Sequence, residues 1–188
     1  DFCILYNNTK IWIEASMPAE HSSVEKLWNW SYKIGEISTS RYLRLSNSFT
    51  TKSNKWNETY IKNWCKLNDP FIIAINWNSV DSWSTDKWIL AILYWIWLTQ
   101  IDINGNISYQ NLQSINKGSE LIDINYFSKT EFSHVSWVIY LESEIKPENN
   151  DLFVERNNFH FIPNIYAKNP VSEDFIKKLN IHIPVNFI

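Results

Sequence analysis

The sequence predicts an α/β fold, a central mixed sheet flanked by helices, and three stretches carry that prediction. Residues 71–75, Phe-Ile-Ile-Ala-Ile, form a continuous apolar run of the kind found in strands buried on both faces of a sheet. Residues 40–64 place Leu45, Phe49, Trp56, Tyr60 and Trp64 on one helical face by steps of four and seven. Two β-rich runs, 2–6 and 11–15, flank Asn7-Asn8-Thr9-Lys10, which reads as a hairpin turn.

After the hairpin, residues 16–40 are polar and poorly periodic: a long loop with a short helix around 24–27, placed where it could flank a site. The helix at 40–64 ends before Asn68-Asp69-Pro70, and the buried strand at 71–75 follows. A second helix is expected at 86–94. Residues 99–132 read as loop-rich, with Asn104-Gly105-Asn106 a good turn. Residues 133–142 form another strand. Residues 159–165 form an edge strand, where Pro163 is tolerable. Asn169-Pro170 turns the chain into a last helix at 173–179. With 188 residues and no repeat or low-complexity linker, one domain is expected, its core at 1–98 and residues 99–188 an extension on the same sheet.

Hydrophobic residues make up 45% of the chain, charged residues 20%, and the net charge is −3. No global field therefore draws nucleic acid or an anionic membrane, and any such contact needs a local basic stripe. The apolar run 88–98 is about half of the ~20 residues a membrane span requires, and reads as a buried helix. Cys3 and Cys65 sit in no CxxC or His-rich context and read as two buried thiols in a reducing, cytoplasmic compartment. No signal peptide is visible. The chain opens inside a strand-like run without an initiator Met, and reads as N-terminally trimmed.

Three Gly and 11 Trp are an unusual pairing, since ordinary chains carry about 7% Gly. Trp64, Trp77, Trp83, Trp95 and Trp97 fall where glycine would be expected, Trp64 as a helix C′ residue. In this Asn- and Ile-rich background two readings stand: many are UGA codons read as glycine in the source organism, or the protein is unusually rich in Trp. UGG codons at Trp77, Trp95 and Trp137 would end the first.

No GxGxxG, Walker loop, HExxH or GxSxG is present. The four histidines, His21, His134, His160 and His182, lack ligand spacing and read as structural. The constellation that stands out is Asp1 with Glu14, on adjacent strands of the hairpin. Glu14 lies in a run otherwise suited to burial, where a carboxylate is costly unless paired or holding a cation. If the two face each other, they form a hard-oxygen site for Mg²⁺ or Mn²⁺, able to activate water and clamp a phosphodiester. The bland alternative puts Glu14 on the solvated face of an edge hairpin. Arg41, Arg44, Ser48, Lys52 and Lys55 follow i+3/i+4 steps beside the apolar helix face, a basic stripe that is either solvated or faces nucleic acid.

Asp1-Phe2 followed by a strand carrying Glu14 resembles the core of the PD-(D/E)xK, restriction-endonuclease-like, superfamily. Its members place an Asp and then an (Asp/Glu)-x-Lys on neighbouring strands, followed by a helix and another central strand. The chain also resembles a group of uncharacterised bacterial proteins at Asp1-Phe2, Ile11-Trp12-Ile13-Glu14-Ala15, Leu43-Arg44-Leu45 with Lys52, residues 70–76, His134-Val135-Ser136 and Ala167-Lys168-Asn169-Pro170. In that group glycine is common at the positions of Trp77 and Trp137. The resemblance implies a metal-dependent nuclease, with Asp1 and Glu14 holding Mg²⁺ or Mn²⁺ and the Ala15 carbonyl adding a ligand. DNA or RNA is the implied partner, and a homodimer is compatible. The motif lysine is missing, because Ser16 stands two residues after Glu14. Lys52 is the candidate replacement, with Arg44 facing phosphate and Arg41 and Lys55 extending the nucleic-acid-binding stripe. Two other readings compete: a non-catalytic module that kept the fold after losing the lysine, and a carbohydrate-binding domain invited by the abundant Trp and Asn. The second fits poorly with a buried strand between helices.

Overall fold

The computed structural model describes residues 1–17, 36–77, 86–94, 96–101, 107–112, 114–117, 120–148 and 151–178, some of them by backbone alone. Strands β1 (Phe2–Tyr6) and β2 (Thr9–Ser16) form the expected hairpin, in register from Tyr6↔Thr9 to Phe2↔Ile13. Asn7 and Asn8 connect them with φ of 47° and 62°. A tight two-residue hairpin turn demands positive φ at both central positions, and asparagine tolerates it.

The long helix arrives as α1 (Glu36–Lys55), a π-turn (Trp56–Tyr60) and one further turn, α2 (Ile61–Asn63). It begins earlier than the apolar spacing suggested and runs back along β2. β3 (Phe71–Asn76) then lies parallel to β2, and α3 (Asp86–Leu93) follows. The long partners β8 (Val135–Glu148) and β9 (Asp151–Pro163) complete a five-stranded mixed sheet of order β1-β2-β3-β8-β9. β3 and β8 are parallel, while β9 is antiparallel at the edge, with Pro163 at its last position. β3 is covered on both faces, as its unbroken apolar run implied.

Two expectations are corrected. The described part of 99–132 is not all loop: β4 (Ile96–Ile101) pairs with β5 (Ile107–Leu112), and β6 (Ser114–Lys117) pairs with β7 (Glu120–Asp123). β5, β6 and β7 mix polar and apolar residues without sustained alternation, and β4 continues an apolar run that spacing gave to a helix. The apolar run 88–98 is not one helix either, since α3 ends at Leu93 and β4 starts at Ile96. The helix expected at 24–27, the turn at 104–106, and Trp83 and Trp95 lie outside the described residues. α4 (Glu173–Lys178) forms where the last helix was expected. Among the described residues no helix is long and apolar enough to cross a membrane.

The core has two layers. On one face α1, the π-turn and α3 pack Leu45, Phe49, Trp56, Ile89 and Ile92 against Phe71, Ile73, Ile75, Val138 and Tyr140. On the other, α4 and Val171 cover Ile11, Ile72 and Trp137 through Phe175 and Ile176, leaving an apolar cavity of about 50 Å³. Where β3 meets β8 the register slips between Phe71 and Ile72, so Ser136 has no cross-strand partner in β3. Its hydroxyl restores the bonding: it accepts from the Phe71 N–H at 3.0 Å and donates to the Asn169 carbonyl at 2.6 Å. That accounts for His134-Val135-Ser136 and Asn169-Pro170 as structural neighbours.

The cysteines are not both buried: Cys3 is exposed on β1, and Cys65 is half-buried. Burial first, and the charge of Asp69 next, push the Cys65 thiol up to about 12, so it is no nucleophile at neutral pH. Nor does Trp64 occupy a glycine-type cap, since its φ is −140°. Among the described residues only Asn7, Asn8 and Asn125 combine a side chain with positive φ. At Trp77 the case for glycine is one of burial instead: the ring is 1% exposed, and its indole N–H finds no acceptor among the described residues.

Candidate functional site

Side chains alternate along β2. Ile11 and Ile13 point to the layer under α4, while Trp12, Glu14 and Ser16 point to the layer under α1. Because α1 runs antiparallel to β2, it meets each of the three in turn. Ser48 reaches Ser16 with hydroxyl oxygens 2.7 Å apart. Lys52 and Lys55 reach Glu14, and the Tyr60 ring lies edge-on to Trp12 at 5.8 Å. Steps of four and three residues along one helix face produce this ladder.

Glu14 is 0% exposed, which overturns the reading that put it on a solvated edge. Its Oε1 accepts from Lys52 Nζ at 2.6 Å and from Lys55 Nζ at 2.7 Å, while Oε2 accepts from the Tyr60 hydroxyl. Burial pushes the Glu14 carboxyl up. The hydrogen bonds from Lys52, Lys55 and Tyr60 together outweigh that and hold it below the usual carboxylate range. The Lys55 ammonium is correspondingly held above its ordinary value, chiefly by its bond to Glu14. Burial and Glu14 likewise raise the Tyr60 phenol, which therefore stays protonated and donates. The cluster carries two positive charges against one negative, so an anion is welcome beside it.

The predicted residues separate here. Glu14, Lys52 and Lys55 come together in one ion cluster around the buried carboxylate, with Lys52 19% and Lys55 40% exposed. Arg44 lies two turns before Lys52 on α1, half-buried and with no ion-pair partner among the described residues. The backbone of Arg41 is in α1, and its side chain lies outside the described residues. Asp1 is exposed and precedes the last pair of the ladder, Phe2↔Ile13. Asp1 would lie opposite Glu14, on the same face, if that register continued one step beyond the ladder. Ser16 is tied to Ser48, so the position two after Glu14 contributes a hydroxyl rather than a cation.

For Mg²⁺ or Mn²⁺ the structure supplies one ionised carboxylate, Glu14, with Asp1 a second only if the ladder continues one step past Phe2↔Ile13. Among the described residues no three of His, Cys, Asp and Glu gather, so a cation would rest on this pair and on backbone or water oxygens. The two ammonium groups on Oε1 occupy the position a cation needs. Binding therefore requires Lys52 and Lys55 to turn off that oxygen.

Tyr60 is the residue that sequence reasoning missed. Its place on the apolar helix face marked it as core, and nothing in the spacing signals that its hydroxyl meets Glu14. His134 behaves as the sequence suggested. Its Nε2 lies 3.0 Å from the Ser53 hydroxyl and 3.1 Å from the Ser53 carbonyl, and its ring stacks on Trp56 and Phe71. It thereby pins α1 to the start of β8. Compared with protein-family models, with curated proteins and with solved structures, the chain matches none of them.

Proposed function

We propose that the chain is a nuclease-like protein acting on nucleic-acid phosphodiesters, with Lys52 standing in for the lysine that Ser16 replaces. One observation carries the reading: Lys52 Nζ lies 2.6 Å from the buried carboxylate of Glu14, although the two are 38 residues apart. The PD-(D/E)xK resemblance implies acids on neighbouring strands followed by a helix and another central strand, and the order β1, β2, α1, β3 is compatible with it. Glu14 and Asp1 would hold Mg²⁺ or Mn²⁺, which when bound supplies an activated water and neutralises charge on the phosphate. The chain's own contribution is positional. Glu14 is fixed as an anion, Lys52 and Lys55 offer ammonium donors to non-bridging phosphate oxygens, and Arg44 extends the donor row along the backbone of DNA or RNA.

A second reading, a non-catalytic nuclease-fold module, is favoured by the complete engagement of both Glu14 oxygens and by the Ser16–Ser48 contact. Cleavage of DNA and RNA with Mg²⁺ or Mn²⁺ decides between them, using the full chain beside Glu14→Gln and Lys52→Met. The nuclease reading expects metal-dependent cleavage that falls below detection in both variants while each still melts cooperatively. No cleavage by the unaltered protein on any substrate selects the module.

A further inference from the structure

Lys55 and Tyr60 are five residues apart, yet both meet the same carboxylate. In a continuous α-helix, at about 100° per residue, five steps would leave them about 140° apart around the axis. Tyr60 would then point away from Glu14. The π-turn removes that offset: Ile61 N–H bonds the Trp56 carbonyl and Cys65 N–H bonds the Tyr60 carbonyl, each five residues back. A turn closed by i→i+5 bonds holds one more residue than an α-turn, so the fifth residue returns to the face it left. Single π-turns inside helices recur at functional sites.

The ring is held as well as aimed. Tyr60 lies edge-on to Trp12 at 5.8 Å and to Trp64 at 5.8 Å, stacks on Trp56 at 6.3 Å, and meets Phe71 at 5.7 Å. Its hydroxyl takes Oε2, while both ammonium groups take Oε1. The carboxylate is thus oriented, with one oxygen anchored to a caged phenol and the other turned toward Lys55, the most exposed member of the cluster.

We infer that Tyr60, presented by the π-turn, is the positioning residue for Glu14: it keeps Oε1 aimed at the ligand side when the lysines leave it for an incoming phosphate. The inference deepens the nuclease reading and rests on it for the identity of that ligand. The anchoring itself exists without any ligand, and the two can therefore be tested apart.

The experiment uses the full chain with Tyr60→Phe, which keeps the ring and its cage, and reads two signals. The first is the ¹⁵N NMR signals of the Lys52 and Lys55 ammonium groups, assigned by their loss in Lys52→Met and Lys55→Met. The second is Mn²⁺ affinity by electron paramagnetic resonance. Removing a partner that orients a ligating carboxylate typically weakens metal binding about 10- to 100-fold. Tyr60→Phe is expected to show that loss and to broaden both ammonium signals, with the melting transition still cooperative. Unchanged ammonium signals and Mn²⁺ affinity in Tyr60→Phe overturn the inference while leaving the nuclease reading intact. If the unaltered protein binds no Mn²⁺ and cleaves nothing, the nuclease reading fails. Broadened ammonium signals in Tyr60→Phe would then still establish the anchoring, and unchanged ones would remove it too.

Discussion

At the scale of single residues, the chain follows the rule that carboxylates are rarely fully enclosed unless paired. Glu14 is enclosed, and three donors compensate it. Removing it does not strand two deeply buried charges, because Lys55 and in part Lys52 reach solvent. Glu14→Ala should therefore destabilise by about 2–3 kcal/mol in urea unfolding, at or below the low end for a broken buried pair. The same contacts set a pH dependence with a definite sign. Burial holds His134 below its ordinary value of about 6.5, so the unfolded chain takes up that proton first and stability falls as pH drops below it. Glu14 is also depressed, so its contribution is complete above the unfolded value of about 4.3 and is lost as pH falls through the folded one. Urea midpoints at about pH 7.5, 5.5 and 3.5 should fall in two stages, the first weakened in His134→Gln and the second in Glu14→Gln. A single stage unaffected by either variant would contradict the assignment. Trp77 offers another residue-scale test. Its buried N–H has no acceptor among the described residues, and a buried donor left unpaired costs about 1–3 kcal/mol. UGA rather than UGG at that codon is expected, and sequencing the gene decides it.

Among the elements, α1 with its π-turn does most to build the site, and it was read only in outline. Its apolar stripe announced Leu45 and Phe49 as core, and both are 0% exposed. Phe49 stacks on Tyr126 and touches Phe127 and Phe132, so Phe49→Ala should lose about 3–5 kcal/mol in urea unfolding. Leu67→Ala, at a side chain 72% exposed, should stay within about 0.5 kcal/mol. Equal effects of the two would mean that the α1 layer does not pack as described. The basic stripe, by contrast, changes meaning on folding. Spacing put Lys52 and Lys55 beside the apolar face, and spacing is blind to whether such a face meets water or a carboxylate. The π-turn was not legible at all, because a one-residue change in helical pitch leaves no mark in a pattern of apolar positions. The pairs β4–β5 and β6–β7 escaped for a different reason: β4 lies in an apolar run without alternation, and β5, β6 and β7 lack a sustained period-two contrast.

For the molecule as a whole, net charge −3 means that any nucleic-acid affinity must come from a local basic stripe, for which Arg44, Lys52 and Lys55 are the proposed donors. Each phosphate left without its cation should lower the slope of log K against log salt by about 0.9, so Arg44→Ala should flatten it by about that amount on either DNA or RNA. An unchanged slope would remove Arg44 from the interface. The sequence by itself determined the α/β class, the Asn7-Asn8 hairpin, the central position of β3 and the edge position of β9. These follow from local turn chemistry and from the period of the apolar residues, which are written within a few neighbours along the chain. It also singled out Glu14, since a charge inside an apolar run demands compensation wherever it folds. Only the tertiary structure decided what compensates it. Lys52, Lys55 and Tyr60 lie 38, 41 and 46 residues away, and they meet Glu14 because α1 packs antiparallel on β2 and a π-turn restores their common face. Such contacts depend on the approach of two elements and on the pitch of one, and neither is encoded in the spacing of residues along a single stretch.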